Sequence, residues 1–222
     1  MRKATAPSTV SGTKHLNQLH SKSRATTFID LFTSQVTHHG SRSISRSYIA
    51  VCSKGTSLQL WDIAKKDLIW QAKNVPNDDL DLQVPIWDTG LAFITERVMA
   101  ACTAKGDIRE YDYRASRKTT MNSQINKNEM YLSHILKSTL NDHHLYVITQ
   151  EGHPIVVDRR FNHRMIRKMP GAKGSIRDAK LFGGITNQGE FLITAGCDRH
   201  LRVFDATKEV QGDTHCGSAY LK

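Results

Sequence analysis

Apolar and polar positions along this chain alternate in short runs, the period of strands with one covered face. Four such runs close on a residue pair ending in aspartate: Leu58-Gln59-Leu60-Trp61-Asp62, Ile108-Arg109-Glu110-Tyr111-Asp112, Pro154-Ile155-Val156-Val157-Asp158 and Leu201-Arg202-Val203-Phe204-Asp205. The closing aspartates stand 50, 46 and 47 residues apart. Each run is preceded by another apolar run, at 48 to 52, 98 to 103, 145 to 149 and 191 to 195, across a turn carrying Gly or Asp: Lys54-Gly55, Lys105-Gly106, Glu151-Gly152 and Cys197-Asp198-Arg199. Gly and Asp supply the backbone conformations a tight hairpin turn requires, so each unit is predicted to be a β-hairpin. Further β-prone runs lie upstream of the last three hairpins, at Ile86 with 91 to 94, at 131 to 136 and at 176 to 182. Four short strands per repeat is the count of a propeller blade.

A repeat of roughly 40 to 45 residues with four strands and a Trp-Asp-like ending describes WD repeats. The fold class read from the chain is therefore all-β, a WD40-like β-propeller. The repeats are degenerate: only the last has an aspartate, Asp198, seven residues before the closing Asp205, where Gly55, Lys105 and Glu151 stand in the others. Trp87-Asp88 looks like a repeat end, but it follows Pro85 and is predicted to begin a blade. Residues 43 to 222 are read as blades. Residues 1 to 42 are read as a basic, Ser/Thr-rich flexible region holding one apolar patch at 28 to 32. An organelle transit peptide is the rival reading of that segment, since residues 1 to 27 lack any acid.

Charge adds partners to this picture. The net charge of +10 is concentrated in residues 1 to 61, at +7, and in 159 to 180, also +7, against −3 for 62 to 158 and −1 for 181 to 222. A basic rim points to a polyanion, with a solvated face as the alternative. No apolar run approaches the roughly 18 residues of a membrane helix. The four cysteines, Cys52, Cys102, Cys197 and Cys216, form no C-x-x-C pair, and Cys52 and Cys102 sit in apolar runs as small buried hydrophobes do.

From 73 to 88 the chain reads Lys-Asn-Val-Pro-Asn-Asp-Asp-Leu-Asp-Leu-Gln-Val-Pro-Ile-Trp-Asp, after the repeat end Trp61-Asp62 and a further Trp70. This stretch resembles the signature of the nucleolar WD-repeat proteins that assemble the large ribosomal subunit. The likeness continues through Ile108 to Asp112, Gly174-Ser175-Ile176-Arg177 and the segment from Gly196 to Phe204-Asp205, covering about residues 44 to 222. The resemblance implies a seven-bladed propeller that scaffolds early pre-60S particles and supports rRNA processing in the nucleus and nucleolus. It implies as partners pre-60S assembly factors, rRNA and, as in animal members, an AAA-type remodelling ATPase; the residue pattern itself predicts no membrane, no small-molecule substrate and no cofactor. At about 47 residues per repeat, 222 residues provide about three and a half blades, where seven need roughly 330. The expectation is a partial propeller, either a piece of a longer chain or one whose open edges pair with another chain.

A catalytic or metal centre finds no support in the residue pattern. His143-His144 and His38-His39 lack a third ligand at metal spacing, and Asp78, Asp79 and Asp81 follow Pro76-Asn77 in a loop they are expected to cap or solvate. Gly183-Gly184 and Gly171-x-x-Gly174 lack the Lys-Ser/Thr of a phosphate loop. No enzyme is predicted. Two binding surfaces are. Arg159, Arg160, Arg164, Arg167, Lys168, Lys173, Arg177 and Lys180, with Phe161 and Met165, are the candidate RNA-contact rim, expected on one side of the propeller. Lys73, Asn74, Asp81, Trp87 and Asp88 are the candidate partner-binding loop, with a buried Trp87 as its structural alternative. A WD-repeat adaptor unrelated to ribosomes, such as a ubiquitin-ligase substrate receptor, is the competing function.

Overall fold

The computed structural model describes residues 27–36, 44–125, 131–169, 174–183, 189–206 and 217–220. They form four antiparallel sheets of four strands, each a meander in chain order. The first sheet holds β1 (Thr27–Val36), β2 (Ile44–Ser53), β3 (Thr56–Asp62) and β4 (Asp67–Gln71). The second holds β5 (Asp88–Phe93), β6 (Val98–Thr103), β7 (Asp107–Asp112) and β8 (Met121–Gln124). The third holds β9 (Leu132–Lys137), β10 (His144–Thr149), β11 (Pro154–Asp158) and β12 (Arg164–Lys168). The fourth holds β13 (Ile176–Gly183), β14 (Glu190–Gly196), β15 (His200–Asp205) and β16 (Gly217–Tyr220). This is the blade architecture of a partial WD40 propeller, as the repeat pattern predicts.

The expectation of three and a half blades changes to four. The hairpin pattern starts at β2, but β1 completes the first sheet by pairing with β2 over its whole length, from Thr27 opposite Ser53 to Val36 opposite Ile44. The propeller therefore begins inside the segment read as a flexible region, and the apolar patch at 28 to 32 lies in a strand. Residues 1 to 26 and 37 to 43 of that segment lie outside the described residues.

Strand alternation gives every sheet two faces, and the sheets pack on one another through them. We call the face toward the following sheet leading and the other trailing. The leading side chains Ala50, Cys52, Leu58 and Leu60 of the first sheet meet the trailing Phe93, Met99, Ala101 and Tyr111 of the second. Ala100, Cys102 and Ile108 of the second meet Leu145, Val147 and Val157 of the third, and Tyr146, Ile148 and Val156 of the third meet Leu192 and Phe204 of the fourth. Adjacent residues on one strand thus belong to different cores. Each fully buried Leu, Ile or Val contributes about 1.5 to 3 kcal/mol, so the seams hold the blades in sequence.

The first strands of consecutive sheets, β1, β5, β9 and β13, lie against one another. Their approach is close: a Cβ on Gly90 of β5 would stand 3.1 Å from the His134 Cα of β9 and 3.1 Å from Cys102 Sγ. A side chain there would need β9 to give by a few tenths of an ångström.

The hairpin turns explain the repeat signature. Gly55, Gly106 and Gly152 turn the chain between the second and third strands at φ of 81°, 88° and 91°, where side-chain-bearing residues are strained. In the fourth sheet Arg199 takes that role at φ 62°, and Asp198 supports it by accepting from the His200 N–H at 3.2 Å and from the Arg202 guanidinium. The closing aspartates act at the other end. Asp62, Asp112 and Asp158 each accept the backbone N–H two residues on, from Ala64, Arg114 and Arg160 at 2.8 to 2.9 Å, which caps the turn into the fourth strand. Asp205 closes β15.

Candidate functional site

Antiparallel meanders place the turns between second and third strands, together with the connections between blades, at one end of the sheets. The other two turns of each blade lie at the opposite end. We call these ends the upper and lower rims.

The connection from β4 to β5 carries the partner-binding loop on the upper rim. It is braced by its own polar side chains. Asn74 Nδ2 donates to the Val84 carbonyl at 2.7 Å, Asp78 Oδ1 accepts from the backbone N–H groups of Leu80 and Leu82 at 3.1 and 2.8 Å, and Asn77 Nδ2 donates to Asp81 Oδ1 at 2.8 Å. Asp81 holds φ at 59°, and the Asp78 N–H donates to the Leu82 carbonyl at 3.0 Å. Asp78 caps the loop, Asp81 accepts from Asn77, and Asp79 is exposed. The loop is fastened at both ends: the Lys73 N–H donates to the Arg117 carbonyl at 2.7 Å, and the Gly55 N–H donates to the Ile86 carbonyl at 2.9 Å.

This bracing turns apolar side chains outward. Leu80 is 78% exposed, Leu82 is also exposed, and Trp87 is 42% exposed with the Lys54 ammonium 4.0 Å from its ring centroid. Trp87 is therefore a surface residue, and the buried alternative does not hold. Pairing of Lys54 with Trp87 through a β-bridge and donation from the Ala104 N–H to the Trp87 carbonyl fix its backbone. Leu80 and Leu82 were not among the predicted site residues. Their place in an acid-rich loop between prolines was the available signal.

Asp88 parts from its neighbour. It is 2% exposed, facing the seam between the first and second sheets, and its Oδ1 has no hydrogen-bond partner. Burial pushes its carboxyl up to about 6 against the opposing pull of Arg109. It is an interior residue and not part of the loop's contact surface.

The basic residues do not form one rim. The turn from β11 to β12 puts Arg159, Arg160 and Arg164 at the lower end, while Lys168 and Arg177 stand at the upper end, Arg164 and Lys168 being the two ends of a five-residue strand, about 13 Å apart. Their hydrogen bonds divide them further. Arg159 forks inward onto Glu110 at 2.6 and 2.8 Å. Arg160 forks onto Asp158 at 2.8 and 3.2 Å and stacks over Phe161 at 5.6 Å. Arg167 donates to the Ala206 carbonyl at 3.3 Å, and Arg177 Nε donates to Cys197 Sγ at 3.0 Å. Arg164, Lys168 and Lys180 are exposed on β12 and β13. Lys173 lies outside the described residues.

The strongest polar cluster was invisible in the sequence. Glu110, 49 residues before Arg159, also accepts from His163 Nε2 at 2.9 Å, and the other nitrogen of that ring meets Ser123 Oγ at 2.5 Å. Burial raises the Glu110 carboxyl, but the hydrogen bonds from Arg159 and His163 outweigh it and hold the group down at about 2. Ser123, His163 and Glu110 are all buried, so this is a clasp between second and third sheets, closed to substrate. Glu190 is its counterpart at the next seam, accepting from Ser138 Oγ at 2.8 Å, Thr139 Oγ1 at 2.8 Å and Tyr146 Oη at 3.0 Å. Among the described residues, no group of three or more His, Cys, Asp or Glu side chains could hold a metal ion.

Four-stranded blades and capped Trp-Asp-type strand ends are the architecture of a partial WD40-like β-propeller. Curated proteins similar to it include WD repeat-containing protein 74 and the Nsa1 ribosome biogenesis proteins. The chain is similar to WD repeat-containing protein 74 of Mus musculus, with 26% identity over 168 residues, covering 70% of this chain and 39% of that protein. It is similar to ribosome biogenesis protein NSA1 of Meyerozyma guilliermondii, 28% identical over 189 residues, covering 72% and 47% respectively. The Saccharomyces cerevisiae NSA1 is 28% identical over 163 residues, covering 62% and 35%. The chain thus spans less than half the length of each of these relatives. No protein-family model matches it.

Proposed function

We propose that this chain is a non-catalytic WD-repeat scaffold in assembly of the large (60S) ribosomal subunit, acting in the nucleolus. On this reading the upper-rim loop docks a pre-60S assembly factor, and the β12 to β13 basic residues contact rRNA during its processing. One observation carries it: a loop braced by Asn74, Asn77 and Asp78 holds Leu80, Leu82 and Trp87 out to solvent beside Lys54. Preformed apolar and aromatic side chains lose little entropy on binding, which is the character of an interface anchor. The names of the relatives supply the assembly context. An AAA-type ATPase that releases the scaffold fits a protein whose work is to bind and then leave.

Sedimentation of the tagged chain through a sucrose gradient tests this reading. The wild-type chain is expected with pre-60S particles, and a Leu80→Asp, Leu82→Asp, Trp87→Ala variant of normal circular dichroism in the light fractions. Retention of that variant in the particles removes the loop from the mechanism. A wild-type chain absent from them removes the ribosomal role and favours the adaptor reading.

A further inference from the structure

The apolar tip of the upper-rim loop sits among acids that no cation offsets. From 74 to 84 the chain holds three aspartates, Asp78, Asp79 and Asp81, and no Lys or Arg, although the whole chain carries a net charge of +10. Two of these carboxylates brace the loop from within, Asp78 through the backbone N–H groups of Leu80 and Leu82 and Asp81 through Asn77. Asp79 is exposed and takes no part in that bracing. No Lys, Arg or His among the described residues forms an ion pair with any of the three. Trp87 has the Lys54 ammonium over its ring, so the part of the loop without a cation is the tip, where Leu80 is 78% and Leu82 59% exposed.

The place of this tip in the fold keeps it apart from the packing of the sheets. The loop runs from β4 of the first sheet to β5 of the second, across the seam in which those two sheets cover one another. Sheets pack through their faces, and the tip lies on a rim. Two features fix the chemistry of what binds there. Leucines held in water gain by burial against apolar side chains. Carboxylates gathered in a short loop repel one another and attract a cation brought to them, most strongly where the contact sheds water. The same charge turns away polyanions, so neither RNA nor an anionic lipid surface suits the tip.

We propose that the tip of this loop binds a basic amphipathic segment of a partner protein, one that sets apolar side chains on Leu80 and Leu82 and brings Lys or Arg to Asp79 and its neighbours. The inference rests on the reading of this loop as a docking surface and names what docks there. Proteins that contact rRNA carry such segments, because Lys and Arg neutralise phosphate. The two candidate surfaces then divide by sign: the acidic tip takes protein, and the outward cations of β12 and β13 are left for nucleic acid.

Fluorescence anisotropy with the purified 222-residue chain reads this contact. The probe is a fluorescein-labelled amphipathic helix of about 18 residues built of Leu and Lys alone, compared with the same peptide carrying Glu for Lys. The Lys peptide is expected to bind, more weakly as salt rises, and the Glu peptide not to bind. Asp79→Lys, at a side chain that makes none of the loop's hydrogen bonds, is expected to weaken the Lys peptide by about tenfold. Leu80→Asp makes the tip more acidic yet weakens binding too, because it removes an apolar anchor, whereas a purely electrostatic contact would tighten. Both variants are expected to keep the wild-type circular dichroism. Equal affinity for the two peptides, an Asp79→Lys chain that binds like the wild type, or a Leu80→Asp chain that binds more tightly overturns the proposal. A chain absent from pre-60S particles that still binds the Lys peptide through the tip loses its ribosomal context and keeps this occupant. A chain that joins the particles through the loop but shows no preference for the Lys peptide keeps its ribosomal role and loses the basic occupant.

Discussion

Asp88 and Glu110 are two buried carboxylates with opposite effects on stability. Asp88 prefers its proton in the folded chain, with a carboxyl at about 6 against an ordinary 3.8. Its contribution is fully present below pH 3.8 and is lost as pH rises through about 6, so at neutral pH it is a charge held at cost. Asp88→Asn keeps the shape and removes that charge. The expected result is a gain of up to about 3 kcal/mol at pH 8 that vanishes near pH 4, read from urea midpoints across pH. Glu110 behaves in the reverse sense. Its carboxyl is held at about 2, so its contribution is present above the ordinary 4.5 and is lost as pH falls from there toward 2. Arg159→Ala leaves Glu110 buried beside His163 without its fork, and is expected to cost about 3 kcal/mol at pH 7, measured by the same midpoints. Neither role is legible in the sequence. Asp88 stands next to Trp87 in a polar-looking stretch, and the partners of Glu110 lie a blade away in the chain.

At the scale of elements, the hairpins were readable because their signal is local. Alternation fixes the covered faces, Gly or Asp marks each turn, and the closing aspartate caps the next one. Replacing Gly152, at φ 91°, by alanine is expected to cost about 1 kcal/mol and to lower the thermal midpoint by a few degrees. The first strand escaped because the hairpin pattern begins only at β2 and the segment before it reads as Ser/Thr-rich and basic. The basic rim was misplaced for a geometric reason: a hairpin turn and a blade connection are adjacent in sequence but sit at opposite ends of β12. This division gives the RNA reading a definite form. Arg159 is committed to Glu110, so the outward cations on β12 and β13 are the ones that can release counterions. Arg164→Glu with Lys168→Glu is expected to weaken rRNA-fragment binding several-fold and to lower the slope of log affinity against log salt by about 2, whereas unchanged slope excludes β12 from the contact.

The described residues form a series of blades joined by three separate seams, with alternate residues of β6 and β10 serving different cores. Among the described residues, the second and third sheets pack against a sheet on both faces, and the first and fourth on one. Stability in such a series is the sum of each sheet and its neighbouring seams, as in repeat proteins. The second and third sheets, tied also by the Glu110 clasp, should then be the last to open, and damage at one end should stay there. Leu60→Ala empties a fully buried position in the first seam at a cost of about 2 to 5 kcal/mol. Hydrogen exchange read by mass spectrometry is expected to speed up in β2 and β3 of that variant while β10, β11 and β14 keep their wild-type protection. Uniform acceleration across all four sheets would instead mean a single cooperative unit. In that case the seams transmit stability along all four sheets.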